Sequence, residues 1–121
     1  MSDEKGEFVI RIHHAERAGL HYDLHLNGES WAIPKGMPSK PGIKHLAIAT
    51  AYHSPEQARF EGTIPKGQYG AGTTEIVDEG EYILINQTPS SMFFQLHGDM
   101  YTGNYYLRHW KGSHWLLWHQ P

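Results

Sequence analysis

The sequence is cut into short pieces, and that rhythm limits the fold more than any other feature. Thirteen glycines and seven prolines are spread along the 121 residues. Between them lie runs short for helices but long enough for strands: EFVIRIH (7–13), LHYDLHL (20–26), SWAIP (30–34), KHLAIAT (44–50), TTEIVDE, EYILIN, SMFFQLH, NYYLRHW and HWLLWH. No window of about 11 residues repeats apolar positions at helical spacing. Only PEQARF, Pro55 to Phe60, has the makings of one helical turn, behind a proline. Asn27-Gly28 is a two-residue hairpin signal between LHYDLHL and ESWAIP, and Glu79-Gly80 is a weaker one between TTEIVD and EYILIN. Short strands whose sequence neighbours pair predict an all-β fold with very little helix. A small closed or nearly closed antiparallel β-barrel is the expected form, because closure removes exposed sheet edges.

With 39% apolar residues, a chain of this length has material for one core and not two. Residues 1–7, MSDEKGE, are charged and lack an apolar anchor, so they read as a flexible tail before a single domain at 8–121. The absence of cysteine excludes a disulfide framework and a cysteine-based zinc finger. Neither a signal-peptide pattern nor the ~18 consecutive apolar residues of a membrane span is present. A cytoplasmic monomer without membrane attachment is expected. A net charge of -3 argues against coating long duplex by phosphate neutralisation, yet it permits recognition of one strand end.

Histidine is the outlying residue type: ten in all, of which His13, His14, His21, His25, His45 and His53 fall in the first 53 positions. In Leu20 to Leu26 the alternation is strict. A strand there puts Leu20, Tyr22, Leu24 and Leu26 on one face and His21, Asp23 and His25 on the other. A merely solvated face would favour Thr, Lys and Glu. If Ala15 to Gly19 turns back as a hairpin, His13 comes to lie beside His21, and His13, His21 and Asp23 form a two-histidine, one-carboxylate set. That set suits Mn²⁺, Fe²⁺ or Zn²⁺ and leaves coordination positions open. Trp31 to Gly36, WAIPKG, ends a strand in a proline and then presents Lys35, a natural phosphate contact. Phe60 to Gly72, FEGTIPKGQYGAG, is glycine-rich, but no G-K-[ST] follows and no βαβ unit surrounds it, so it reads as a structural turn.

The run FVIRIHHA, LHYDLHL, SWAIPKG, KHLAIAT, His53, FEGTIPKGQYGAG and GNYYLRHWKGSHWLLWH, from Phe8 to His119, resembles the phosphoesterase domain of DNA ligase D in order and spacing. The resemblance implies a small β-barrel enzyme of DNA repair by non-homologous end joining. Such an enzyme removes a 3′-terminal ribonucleoside and then the 3′-phosphate from DNA or RNA primer strands. It implies manganese, with zinc or cobalt as substitutes, and a ligase or polymerase as partner at the primer-template. By the same resemblance the metal ligands fall on His13, His21 and Asp23, and the phosphate-binding set on Lys35, His25, His45 and His53. His53 and His25 are then the candidate catalytic residues. This sequence departs from the family pattern at three residues and in one loop, the segment between His13 and His21 being longer than usual. Histidine stands at 25 and at 45 where the family has phosphate-gripping arginines, and Gln57 stands where it has a tyrosine. Histidine lacks the permanent charge and bidentate fork of arginine.

Two other functions share parts of this pattern. A metal-stabilised module that binds nucleic-acid ends without turnover would keep the ligand set and lose the arginine clamp. A non-haem iron oxygenase also uses H-x-D with a distant histidine, and His97 with Arg108 imitates its cosubstrate arginine, but that reading leaves Lys35, His45 and FEGTIPKGQYGAG without a role.

Overall fold

The computed structural model describes residues 4–51 and 53–120. Among the described residues there are nine strands: β1 (Glu4–Ala15), β2 (Gly19–Leu26), β3 (Glu29–Ile33), β4 (His45–Thr50), β5 (Gly62–Ile64), β6 (Gly72–Thr88), β7 (Ser91–His97), β8 (Thr102–Lys111) and β9 (His114–His119). One short helix, α1 (Pro55–Ala58), lies between β4 and β5. It starts with a capping box in which Ser54 and Gln57 exchange side-chain and backbone bonds, with Pro55 in the first turn. All pairings are antiparallel. The sheet order is β1-β2-β3-β4-β9-β8-β7-β6, and a further β1–β6 pairing closes it into a ring, with β5 attached to the start of β6. The fold is therefore all-β and ring-like, as expected.

Alternation builds the core inside this ring. Phe8 and Ile10 of β1, Leu24 and Leu26 of β2, Phe94 and Leu96 of β7, Leu107 of β8 and Leu117 of β9 are fully buried there. Their sequence neighbours point outward. The β2–β3 connection is the expected two-residue hairpin: Asn27 and Gly28 both have positive φ, 53° and 101°, as a type I′ turn requires.

Three sequence readings need correction. Residues 4–7, assigned to the flexible tail, belong to β1 and pair with Glu81 to Leu84 of β6; cross-strand bonding holds them without an apolar anchor. Residues 1–3 lie outside the described residues. Glu79-Gly80 is not a hairpin: TTEIVD and EYILIN form one continuous strand, β6. Gly80 lies opposite Phe8, and a Cβ there would run into the His97 carbonyl and the Phe8 ring, so close approach of β1 and β7 demands the glycine. The FEGTIPKGQYGAG segment contributes strand β5 as well as a turn.

Asp78 anchors the far end of the ring. Beside it the β1–β6 register shifts between Ile10 and Arg11, the mark of a β-bulge. Its buried carboxylate accepts the backbone N–H groups of Glu79 (2.9 Å), Asp99 (3.2 Å), Met100 (3.1 Å) and Tyr101 (2.7 Å), which moulds the turn between β7 and β8. Asp78→Ala strips these donors of their acceptor and is expected to cost about 3 kcal/mol of stability in urea unfolding. A loss under about 0.5 kcal/mol, the scale of an ordinary surface change, would show that the network has no net effect.

Candidate metal centre and its cavity

The β1–β2 hairpin sets the site. Its register places His13 opposite His21 and Arg11 opposite Asp23. Since Ile10 and Leu24 face the core, Arg11, His13, His21, Asp23 and His25 share the outer face. One ligand atom from each of His13, His21 and Asp23 lies within 4.8 Å of the others.

Hydrogen bonding orients these rings. The His13 Nε2–H donates to the Gly70 carbonyl at 2.7 Å, which leaves Nδ1 facing Asp23 Oδ2 at 3.1 Å. The His21 Nδ1–H donates to the Gly19 carbonyl at 3.2 Å, which leaves Nε2 facing Asp23 Oδ1 at 3.1 Å. A carbonyl only accepts, so in each neutral imidazole the unshared pair is turned on the carboxylate. Such a cluster requires positive charge between its members, as protons or as a cation, and backbone carbonyls that fix the tautomer are the usual support of a metal-ligating histidine. The residues present therefore fit a divalent metal ion. The hydrogen bond to Asp23 raises the His13 pKa against the opposing effect of burial. For Asp23, burial works against ionisation, but with protons on the facing nitrogens the hydrogen bonds from His13 and His21 outweigh it and hold the carboxyl well below the usual carboxylate range.

This cluster lies in a cavity of about 720 Å³. Arg11, Asp23, His25, Ala32, Thr50 and His53 contribute to its lining, and so does the segment Lys66 to Ala71. The glycine-rich segment is thus a wall of the cavity as well as a turn. Gly70 approaches His13 closely with φ of +77°, and Tyr69, 84% exposed, stands at the rim.

His25 and His53 meet edge to face, with ring centroids 5.1 Å apart. Ser30 Oγ meets the Thr50 hydroxyl, the Ala51 carbonyl at 3.1 Å and His53 Nδ1 at 3.0 Å; with the serine proton on the carbonyl, His53 Nδ1–H is the donor to Ser30. Neutral His53 then keeps Nε2 as a proton acceptor. Burial, reinforced by the Arg11 charge, lowers its pKa. His25 is only 2% exposed, and neither ring nitrogen has a hydrogen-bond partner among the described residues. Burial first, and Arg11 second, push its pKa down to about 3.

The fold brings together His13, His21, Asp23, His25 and His53, but not Lys35 or His45. Along β4, Ala47 packs into the core while Thr50 lines the cavity, so alternation puts His45 on the core side of the strand. Its Nδ1–H donates to the Gly36 carbonyl at 2.7 Å. Lys35 sits in the exposed turn after β3, outside the cavity lining. The expected convergence of these two residues with His25 on one phosphate is therefore corrected. Gln57 is occupied in capping α1. Arg11, to which the sequence pattern assigns no role in the site, also lines this cavity. It is buried in the cavity floor, and its position opposite Asp23 on an outward-facing register was the available signal.

Fold and site together define a class: a ring-like all-β domain with a candidate metal centre on the floor of an open cavity. Within that class, the chain belongs to the DNA Ligase D 3′-phosphoesterase domain family, whose model matches residues 11–109. It is 42% identical over 117 residues to the multifunctional non-homologous end joining protein LigD of Mycobacterium bovis, covering 90% of this chain and 15% of that protein. The corresponding LigD of Mycolicibacterium smegmatis is 40% identical over 125 residues, covering 91% and 16%. That of Pseudomonas aeruginosa is 35% identical over 123 residues, covering 91% and 14%. The chain thus spans a small part of the length of these relatives. Among the described residues, no helix is long and apolar enough to cross a membrane.

Proposed function

We propose that this chain is a manganese-dependent 3′-end-processing phosphoesterase, acting on 3′-phosphates and 3′-terminal ribonucleosides of DNA or RNA primer strands in end joining. One observation carries the reading: in a member of the 3′-phosphoesterase family, two tautomer-fixed histidines turn their unshared pairs on one carboxylate at the floor of an open cavity. His13, His21 and Asp23 would hold the metal ion, with zinc or cobalt as substitutes for manganese. When bound, the ion supplies Lewis-acid stabilisation of phosphoryl charge and lowers the pKa of a coordinated water. His53 accepts a proton at Nε2, from water or from a hydroxyl of the substrate. His25 presents its unpartnered nitrogens to the phosphate. The cytoplasm is the expected compartment, and a ligase or polymerase at the same primer-template the expected partner.

The test is phosphate release from a primer-template ending in a 3′-phosphate, and ribonucleoside release from one ending in a single ribonucleotide. Both are measured with manganese, with chelator, and with His21→Ala. Release that needs manganese and His21 is the expected result. Silence of the folded, metal-loaded parent with both substrates would overturn the catalytic reading and leave the end-binding module.

A further inference from the structure

The lining of the cavity contains three permanent cations. Arg17 and Lys66 are exposed at its mouth; Arg11 is 5% exposed at its floor. A buried guanidinium is costly unless its donors are used. Nη1 is used twice, on the carbonyls of Gln57 (2.9 Å) and Phe60 (3.0 Å). The other edge is not. Among the described residues, Nε is buried without a partner, and the recorded contact of Nη2 is an ion pair of 3.7 Å with Asp23. A guanidinium edge with two spare donors matches two oxygens of one phosphate.

Arg11 pairs with Asp23, and Val9 with His25, so Arg11 and His25 are diagonal neighbours on one face of the hairpin and line one cavity. A histidine at 25 brings no permanent charge; Arg11 brings it from the adjacent strand. We infer that Arg11 is a phosphate-binding residue of this cavity, supplying from β1 the fixed cation that β2 lacks. The inference rests on the function proposed above and adds a residue to its substrate site. The competing role is a strap, in which Arg11 only ties residues 57–60 to β1.

Inorganic phosphate is titrated into the intact protein and into Arg11→Gln, Arg11→Lys and the double variant Arg11→Gln/His25→Arg. KM, kcat and melting temperature are measured for each, with the 3′-phosphate primer as substrate. Loss of a charged, bidentate contact is expected to weaken phosphate binding and raise KM by about ten- to a hundredfold in Arg11→Gln. Arg11→Lys should fall between this variant and the parent, and the double variant should recover most of the loss. Phosphate affinity in Arg11→Gln within twofold of the parent, with only the melting temperature lowered, would establish the strap and overturn the inference. So would Arg11→Lys binding phosphate no better than Arg11→Gln, a comparison that stands even if the double variant does not fold. If the parent binds phosphate through Arg11 yet releases none from the primer, the function proposed above fails and this inference survives.

Discussion

Asp23→Asn is expected to lower manganese-dependent phosphate release by about a thousandfold or more, the scale set by losing several kcal/mol of transition-state stabilisation. Asparagine has the size and shape of aspartate, so the β1–β2 hairpin keeps its packing. What changes is charge. The carboxylate stands between His13 Nδ1 and His21 Nε2 at 3.1 Å from each, and it is the anion that makes a cation at this point favourable. An amide offers one oxygen and one NH₂, whose hydrogens satisfy an imidazole lone pair without any ion. The parent should therefore gain thermal stability on adding manganese, by about 2.7 kcal/mol at a hundred times the dissociation constant, and Asp23→Asn should gain none. Differential scanning fluorimetry with and without metal reads this independently of turnover. A variant that keeps both the metal-induced shift and the activity would place the metal elsewhere.

His25→Leu is expected to raise stability while lowering activity. The imidazole is buried, with two nitrogens that find no partner among the described residues, and an unpaired buried polar group costs about 1–3 kcal/mol. Leucine is of similar volume and leaves nothing unpaired, so urea unfolding should show a gain of about 1–2 kcal/mol. Phosphate turnover should fall by about a hundredfold, because the cavity loses a donor and acceptor placed beside His53. Opposite signs for stability and activity mark a residue kept for its chemistry. A less stable variant with unchanged turnover would show instead that His25 is a packing residue already satisfied in solution.

The legible parts of the fold were those written in a few adjacent residues. Leu20 to Leu26 announces both a strand and the face on which His21, Asp23 and His25 stand, and Asn27-Gly28 announces the turn that follows. The metal set needed one further step, a hairpin at Ala15 to Gly19, and the β1–β2 register places His13 opposite His21 accordingly. Glu79-Gly80 misled because a glycine required by tight packing looks the same in sequence as one required by a turn. Of the phosphate set implied by the resemblance, His25 and His53 line the cavity with Arg11, whereas alternation along β4 puts His45 on the core side and Lys35 stands outside the lining.

Sequence by itself determined the all-β character, most of the strands, the two faces of Leu20 to Leu26 and the Asn27-Gly28 hairpin, because alternation and turn chemistry follow from covalent geometry over a few residues. Only the tertiary structure decided that β1 meets β6 to close the ring, that the Gly70 carbonyl fixes the His13 tautomer from 57 residues away, and that the carbonyls of Gln57 and Phe60 hold Arg11 against the cavity floor. Those contacts join segments with no local signal for one another. They exist because closing the ring buries the apolar faces of its eight strands at once, and no short stretch of sequence contains that sum.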